Sequence, residues 1–217
     1  MDDQKEKELE KKVEAELEKE LEEEEQLSFW RRVGLFVFET LRLIVIVFVT
    51  VLLIRTFIVQ PFFVVGDSMK PNLHNGDYLL VDEISYRFGS PARGDIIVFR
   101  FPGNPRENYI KRIIGLPGET VEIKDGQVAI SNVKNPGGME VEEKYLPADL
   151  KTAGNVSRTL EKDEFFVLGD NRGASSDSRS WGTVPRGNII GRTFVVVFPT
   201  DHFSWVPKPA YAGLGEN

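Results

Sequence analysis

A chain of 217 residues with 41% hydrophobic side chains is long enough for one buried core of ordinary domain size plus appendages. It has no cysteine, which excludes disulfides, zinc fingers and thiol catalysis. The net charge of −7 is concentrated at the start: residues 1–26 hold 13 acidic and 5 basic side chains, so the rest is nearly neutral and carries no electrostatic footprint for nucleic acid.

Residues 1–26 are rich in Glu and Lys, strong helix formers, with a thin apolar stripe at Leu9, Val13, Leu17 and Leu21. This pattern predicts a solvated, partly helical tail over residues 1–28 rather than a coiled coil. From Val33 to Ile54 the chain reads VGLFVFETLRLIVIVFVTVLLI, long enough to cross a bilayer as a helix. So many consecutive Val, Ile, Leu and Phe leave no polar face, which favours a membrane span over a buried core helix. Glu39 and Arg42, three residues apart, are placed to pair on one helical face. A cleavable leader fits worse, since the preceding segment is long and acidic and no small-x-small site follows. Arg31 and Arg32 precede the span and only Arg55 follows closely, which orients the N-terminus towards the cytoplasm. The anchor is expected over residues 29–58.

Beyond it, short apolar runs broken by Gly, Pro and Asp predict strands: FFVV, DYLLV, DIIVFRF, NYIKRII, TVEI, EFFVLGD and GRTFVVVFP. VEIKDGQVAI is a hairpin, with Asp125-Gly126 supplying the positive φ angles of a tight turn. Residues 131–160 are polar and Gly-rich and are expected as an exposed insertion, and residues 201–217 as an irregular tail. The fold class is therefore mainly β, an antiparallel sheet or barrel-like domain over residues 59–200 behind a single N-terminal transmembrane helix.

Ser68, in GDSMKPNL, lies between a predicted strand and a Pro-Asn turn, where a hydroxyl can be presented at a surface. It does not match the nucleophile elbow G-x-S-x-G, because Pro71 follows Lys70 and no glycine closes the turn. A serine nucleophile needs a base. His74 sits in a polar turn and His202 in the tail, and neither lies in a run that would fix an imidazole. A lysine serves instead if burial lowers its pKa from near 10.4 by roughly two units. Lys111, in NYIKRIIG, fits: on a strand, Tyr109, Lys111 and Ile113 share one face. The same lysine would also suit an edge strand guarded against aggregation. Lys70 is nearer to Ser68 but sits in a polar turn where water keeps it charged. GDNRGASSDSRSWG, residues 169–182, directly follows an apolar run and suits either a buried hydrogen-bond network or a polar loop with Asx turns. Nothing in the sequence calls for a metal or cofactor.

GDSMKPNL, RGDIIVF, YIKRIIGLPGE and GDNRGASSDSRSWG, in this order behind an N-terminal span, resemble the successive boxes of type I signal peptidases from about Val59 to Phe198, more weakly over residues 131–160. The resemblance implies a membrane-bound endopeptidase that removes N-terminal signal peptides from exported preproteins. It would cut after small residues (Ala-x-Ala), with Ser68 as nucleophile and Lys111 as general base. It also implies that the Ser175 hydroxyl orients the lysine, that Asp170 pairs with Arg112, and that Asp177 and Arg179 support the site. Phe62, Phe63, Val64 and Val65 on one side, and Asn108, Tyr109 and Ile110 on the other, would flank a substrate lying as an added strand. Gly66 stands where some members carry a serine that donates to the oxyanion, leaving that task to the Ser68 backbone N–H. The implied partners are signal peptides and the lipid bilayer, without nucleic acid, metal or cofactor. The implied location is the bacterial cytoplasmic membrane, single-pass, with the catalytic domain on the outer face. Pro61 to Val65, with Trp181 or Trp205, is expected to dip into the membrane interface. A specialised transfer peptidase with the same Ser-Lys pair, or a single-pass scaffold displaying an inert β domain, would share parts of the pattern. A self-cleaving repressor would need a DNA-binding domain in place of the span.

Overall fold

The computed structural model describes residues 3–57, 59–207 and 211, which divide into two units between Leu53 and Ile54. Helix α1 (Asp3–Phe57) runs unbroken for 55 residues. The tail and anchor expected as separate pieces are thus one helix. Residues 3–57 contain no proline and a single glycine, Gly34, so nothing stops propagation. Within it, Phe29–Leu52 is apolar over 24 residues, none of them buried. At 1.5 Å per residue this spans about 36 Å, enough for a hydrocarbon core of about 30 Å. Glu39 and Arg42 meet at 3.9 Å. Thr40 and Thr50 return their hydroxyls to the carbonyls of Phe36 and Ile46, each at 2.8 Å, so these polar atoms are satisfied inside the helix.

The second unit comprises β1 (Val59–Phe63), β2 (Tyr78–Asp82), α2 (Ser85–Phe88), β3 (Ile96–Phe101), β4 (Asn104–Gly115), β5 (Thr120–Lys124), β6 (Gln127–Ser131), β7 (Met139–Glu140), β8 (Val156–Thr159), β9 (Glu164–Leu168), α3 (Ser178–Trp181), β10 (Val184–Pro185), β11 (Ile189–Phe198) and β12 (Ser204–Trp205). All described pairings are antiparallel. The larger sheet runs β1-β2-β11-β3-β4-β9-β10 with β12 beside β11, and the smaller runs β7-β6-β5-β8. Two features of the larger sheet position the site. Strand β1 pairs only with β2. Strand β4 pairs with β3 from Asn104 to Arg112, but with β9 only from Arg112 onward. Among the described residues, β1 and the first half of β4 therefore each keep one backbone edge free.

Three apolar clusters hold the strands. Ile97, Phe99, Ile113 and Val167 fill one, and Ile114, Val121, Ile123 and Phe166 join the two sheets in another. Val64, Met69, Leu73, Leu79, Ile96 and Val196 form the third, beneath the loop between β1 and β2. Each such fully buried side chain contributes roughly 1.5–3 kcal/mol of transfer free energy.

The hairpin turn holds Asp125 at φ 52° and Gly126 at φ 89°. Residues 131–160 are mostly exposed, but they carry more structure than an irregular insertion. They supply β7 and β8, the outer strands of the smaller sheet, and bury Val141, Thr152 and Leu160. Strands of two and four residues are too short for period-two alternation to show in sequence. The segment after residue 200 is likewise ordered in part. Thr200–His202 forms a 3-10 turn, β12 pairs with β11, and Tyr211 packs on the core of the smaller sheet; the rest of the expected tail lies outside the described residues.

Candidate active site

The chain leaves β1 at Phe63 and turns at Gly66, whose φ of +94° is open to glycine and strained for other residues. The Gly66 N–H donates to Asn75 Oδ1 at 2.9 Å. Met69 and Leu73, each 1% exposed, pin the following turn to the core. Ser68 is thereby held at the lip of the loop. Its carbonyl accepts the Asn171 N–H at 3.0 Å, and Asn171 Nδ2 donates to the Asp67 carbonyl at 3.1 Å. Its own backbone N–H engages no acceptor among the described residues.

Strand β4 brings Lys111 to this hydroxyl: Nζ lies 2.7 Å from Ser68 Oγ and donates to the Ile110 carbonyl at 2.8 Å. Lys111 is 4% exposed, opposite Ile97 in the register, with its ammonium 5.7 Å from the Tyr109 ring centroid. It is not a solvent-facing edge lysine. Burial lowers its pKa to about 8, although the charges of Asp177 and Asp170 pull the other way. Lys70 stays at the surface, 3.1 Å from Asp67. His74 and His202 do not line the cleft at Ser68.

The 169–182 segment carries a buried network through Asp170, Arg172 and Asp177, although Gly173, Ala174, Ser176 and Ser180 are exposed. Asp170 accepts from Arg112 Nε at 2.8 Å and Nη2 at 2.6 Å, and from Asn72 Nδ2 at 2.9 Å. Arg112, adjacent to Lys111 on the strand and directed the opposite way, also donates to the Gly94 carbonyl at 3.0 Å and stacks over Tyr145 at 3.9 Å. Burial pulls the Arg112 pKa down, and the bonds to Asp170 more than reverse it. Asp177 caps α3, takes the Gly169 N–H at 3.1 Å and holds Arg179 through Nε and Nη2, both at 2.8 Å.

One expected contact is not made. Ser175 does not bond to Lys111: its Oγ is buried without a hydrogen-bond partner, packed against Gly169, while the Ile110 carbonyl takes the bond from the lysine. Trp181 is partly buried, its ring packed against Phe99 and Phe101 at 5.9 and 5.5 Å. Trp205 remains 69% exposed.

Other members of the network escaped the sequence. Arg172 is 2% exposed, donates to the Gly169 carbonyl at 3.0 Å and is clamped by Glu143 and Thr152. It lies inside the GDNRGASS motif, but an arginine in a polar loop reads as solvated unless its carboxylate partner is known. Glu143 and Tyr145 lie in a stretch without periodicity and gave no signal.

Phe62, Phe63, Val64 and Val65 face Asn108, Tyr109 and Ile110 across a cleft of about 450 Å³ with Ser68 and Lys111 in its wall. Gly169 lies directly against the Ser68 backbone behind this wall. A Cβ there would stand 2.1 Å from Ser175 Oγ and 2.5 Å from the Ser68 carbonyl oxygen. Gly169→Ala must therefore displace the Ser68 backbone. A displacement near 1 Å costs about 100-fold in rate, so kcat for a cleavable peptide is expected to fall by that factor while the protein still unfolds cooperatively. Unchanged kcat would mean that the Ser68 position tolerates the shift.

A hydroxyl against a buried amine, set between two free strand edges, is the arrangement of a serine endopeptidase. The chain matches the family model described as signal peptidase, peptidase S26, over residues 37–198. It is 43% identical over 168 residues to a signal peptidase I of Leptolyngbya laminosa, covering 73% of this chain and 78% of the relative. It is 36% identical over 193 residues to a probable signal peptidase I-1 of Synechocystis sp., covering 79% and 91%. Among solved structures, a signal peptidase I from Enterococcus faecalis aligns with 32% identity and a TM-score of 0.40, over 48% of this chain and 97% of that one. The chain belongs to the signal peptidase family, peptidase S26, and its activity is the removal of signal peptides.

Proposed function

We propose that Ser68 is the nucleophile and Lys111 the general base of this endopeptidase. Neutral Lys111 takes the hydroxyl proton as Oγ attacks the scissile carbonyl, then passes it to the leaving amine as the acyl-enzyme forms. The same amine next deprotonates the water that hydrolyses the ester. The free Ser68 backbone N–H is the donor available to the oxyanion. The observation that carries this reading is the 2.7 Å contact between the hydroxyl and an amine buried enough to lose its charge near neutrality.

The substrate enters as a strand between Phe62–Val65 and Asn108–Ile110, exchanging backbone hydrogen bonds with the two free edges. The cleft then reads alternate side chains, and small residues before the cut suit its packed apolar wall. Asp170, Arg112, Asp177 and Arg179 act as positioning residues, because they hold the segment to which the Ser68 carbonyl is tied.

In this reading, residues 29–58 anchor the chain in the cytoplasmic membrane, with residues 1–28 in the cytoplasm and the peptidase domain, residues 59–200, on the outer face. The Arg31 and Arg32 pair supports that orientation. Phe63, Tyr78 and Phe198 stack edge to face at 5.0 and 6.1 Å, and all three are exposed together with Val65 and Trp205. Such a surface suits the lipid interface, where tryptophan and apolar side chains are favoured.

The test is a pH–rate profile of the full chain in detergent on a preprotein with an Ala-x-Ala site. Cleavage is expected after the second alanine, with kcat/KM rising through a limb near pH 8, the value to which burial lowers Lys111. A limb near pH 10, the range of a solvated lysine, would rule Lys111 out as the base.

A further inference from the structure

We infer that His74, Asp77 and His202 form a binding site for a divalent transition ion of the zinc type, outside the peptidase machinery. These are the only two histidines in the chain, and the fold brings both to one carboxylate. One ligand atom from each of the three residues lies within 4.8 Å of the others. The two imidazole rings stand 4.9 Å apart. Two imidazoles and a carboxylate are the donor set of zinc sites that leave a fourth position to solvent.

The carboxylate is prepared for such a ligand. Asp77 is 1% exposed, and its one charged or chargeable partner among the described residues is the His202 ring, Nδ1 to Oδ1 at 3.0 Å. A buried carboxylate without a fixed cation is costly, and a bound ion would offset that cost. Its other oxygen is already oriented by the His74 N–H at 2.7 Å, which leaves Oδ1 for the ion. With ligand bonds of 2.0–2.2 Å, a tetrahedral N···O pair is separated by about 3.4 Å. The present 3.0 Å contact needs to open only slightly, and the proton it now holds leaves to solvent. The His202 side chain is 40% exposed, so the ion has an entry path and a water for its remaining position.

The placement gives the site a consequence. The Asp77 carbonyl accepts the Val64 N–H at 2.9 Å and the Gly76 N–H donates to the Val64 carbonyl at 3.0 Å, so the residues flanking this loop are bonded to the cleft wall. His202 belongs to the 3-10 turn beyond β11. An ion bound by all three side chains clamps that turn to the loop carrying Ser68 and stiffens one edge of the cleft.

The experiment uses the full chain in detergent without a polyhistidine tag. Co²⁺ is titrated and its visible spectrum recorded, and Zn²⁺ is then added as competitor. A four- or five-coordinate Co²⁺ band that Zn²⁺ abolishes, with a Zn²⁺-dependent rise in Tm, is the expected result. His74→Ala and His202→Ala should each weaken binding by more than about tenfold, the least seen even for outer-shell losses. His202→Ala, at an exposed position, should fold and cleave as the wild type does without added metal. The assignment is overturned if neither ion binds at roughly 100 µM, a bound weaker than about −5.5 kcal/mol. It is equally overturned if binding survives in the His74→Ala/His202→Ala double variant, since the acidic N-terminal residues would then be the ligands.

Discussion

Lys111→Met is expected to abolish cleavage while leaving the protein folded and, at pH 7, more stable than the wild type. The methionine fills the space of the lysine stem beside Tyr109 and Ile97 but has no proton to exchange with Ser68 Oγ, 2.7 Å away in the wild type. General-base catalysis contributes about 10²–10⁴-fold, so kcat should fall by at least that much, and Ser68→Ala should fall as far. The stability change runs the opposite way. In the unfolded chain the lysine titrates near 10.5 and in the folded chain at about 8. Below pH 8 both states carry the proton and the full cost of the buried charge is present. Between pH 8 and 10.5 the unfolded chain binds the extra proton, so wild-type stability rises with pH across that window. A tenfold change in proton affinity between the two states is worth about 1.4 kcal/mol, so removing the amine should gain up to about 3 kcal/mol at pH 7 and nothing above pH 10.5. Unfolding of both proteins at pH 7 and pH 10.5, beside a cleavage assay, reads both effects. A variant that still cleaves would move the base elsewhere. One less stable than the wild type at pH 7 would mean that the amine's bonds outweigh its desolvation.

This antagonism explains why the site was legible only in part. The alternation around NYIKRII placed Lys111 among apolar neighbours, and a lysine in such a run has either a solvent edge or a task. Register takes it away from a solvent edge, because the first half of β4 has β3 on one side and the cleft, lined by Lys111, on the other. The strands with four or more residues of clear alternation and the Asp125-Gly126 turn were readable for the same reason: their signal is local. What failed was non-local. Strands β7 and β8 form only because β5 and β6 offer edges to them. Arg172 is buried only because residues 143 and 152 close over it. The Ser175 hydroxyl was placed by motif order alone, whereas the geometry gives its expected bond to the Ile110 carbonyl. The continuity of α1 depended on the lack of any stop signal, which a change of composition near residue 28 obscured.

Asp170→Ala is expected to be the most destabilising single replacement in the peptidase domain, at about 3–5 kcal/mol, the usual cost of stranding one member of a buried ion pair. Arg112 is 2% exposed and Asp170 has no exposed surface, so water cannot take the place of the lost carboxylate. Two of the Arg112 nitrogens would lose their acceptor, with only the Gly94 carbonyl and the Tyr145 ring left to the guanidinium, and Asn72 Nδ2 would keep only the Tyr145 carbonyl. At about 2–4 °C per kcal/mol for a chain of this size, Tm should drop by roughly 6–20 °C. If the stranded charge is the cause, removing it should rescue the fold. Arg112→Met/Asp170→Ala is expected to recover most of the loss, because two apolar groups tolerate the burial that one unpaired cation does not. Activity should not recover with it. Asn72 follows the Ser68 turn and Asn171 holds the Ser68 carbonyl, so the Asp170 carboxylate bonded to Asn72 is part of what fixes the nucleophile. The double variant should therefore unfold near the wild-type temperature with a depressed kcat and an unshifted pH limb. Equal losses of Tm in the single and double variants would refute the unpaired-charge account and assign the stability to the shape of the pair. Wild-type kcat in the double variant would detach the ion pair from the positioning of Ser68.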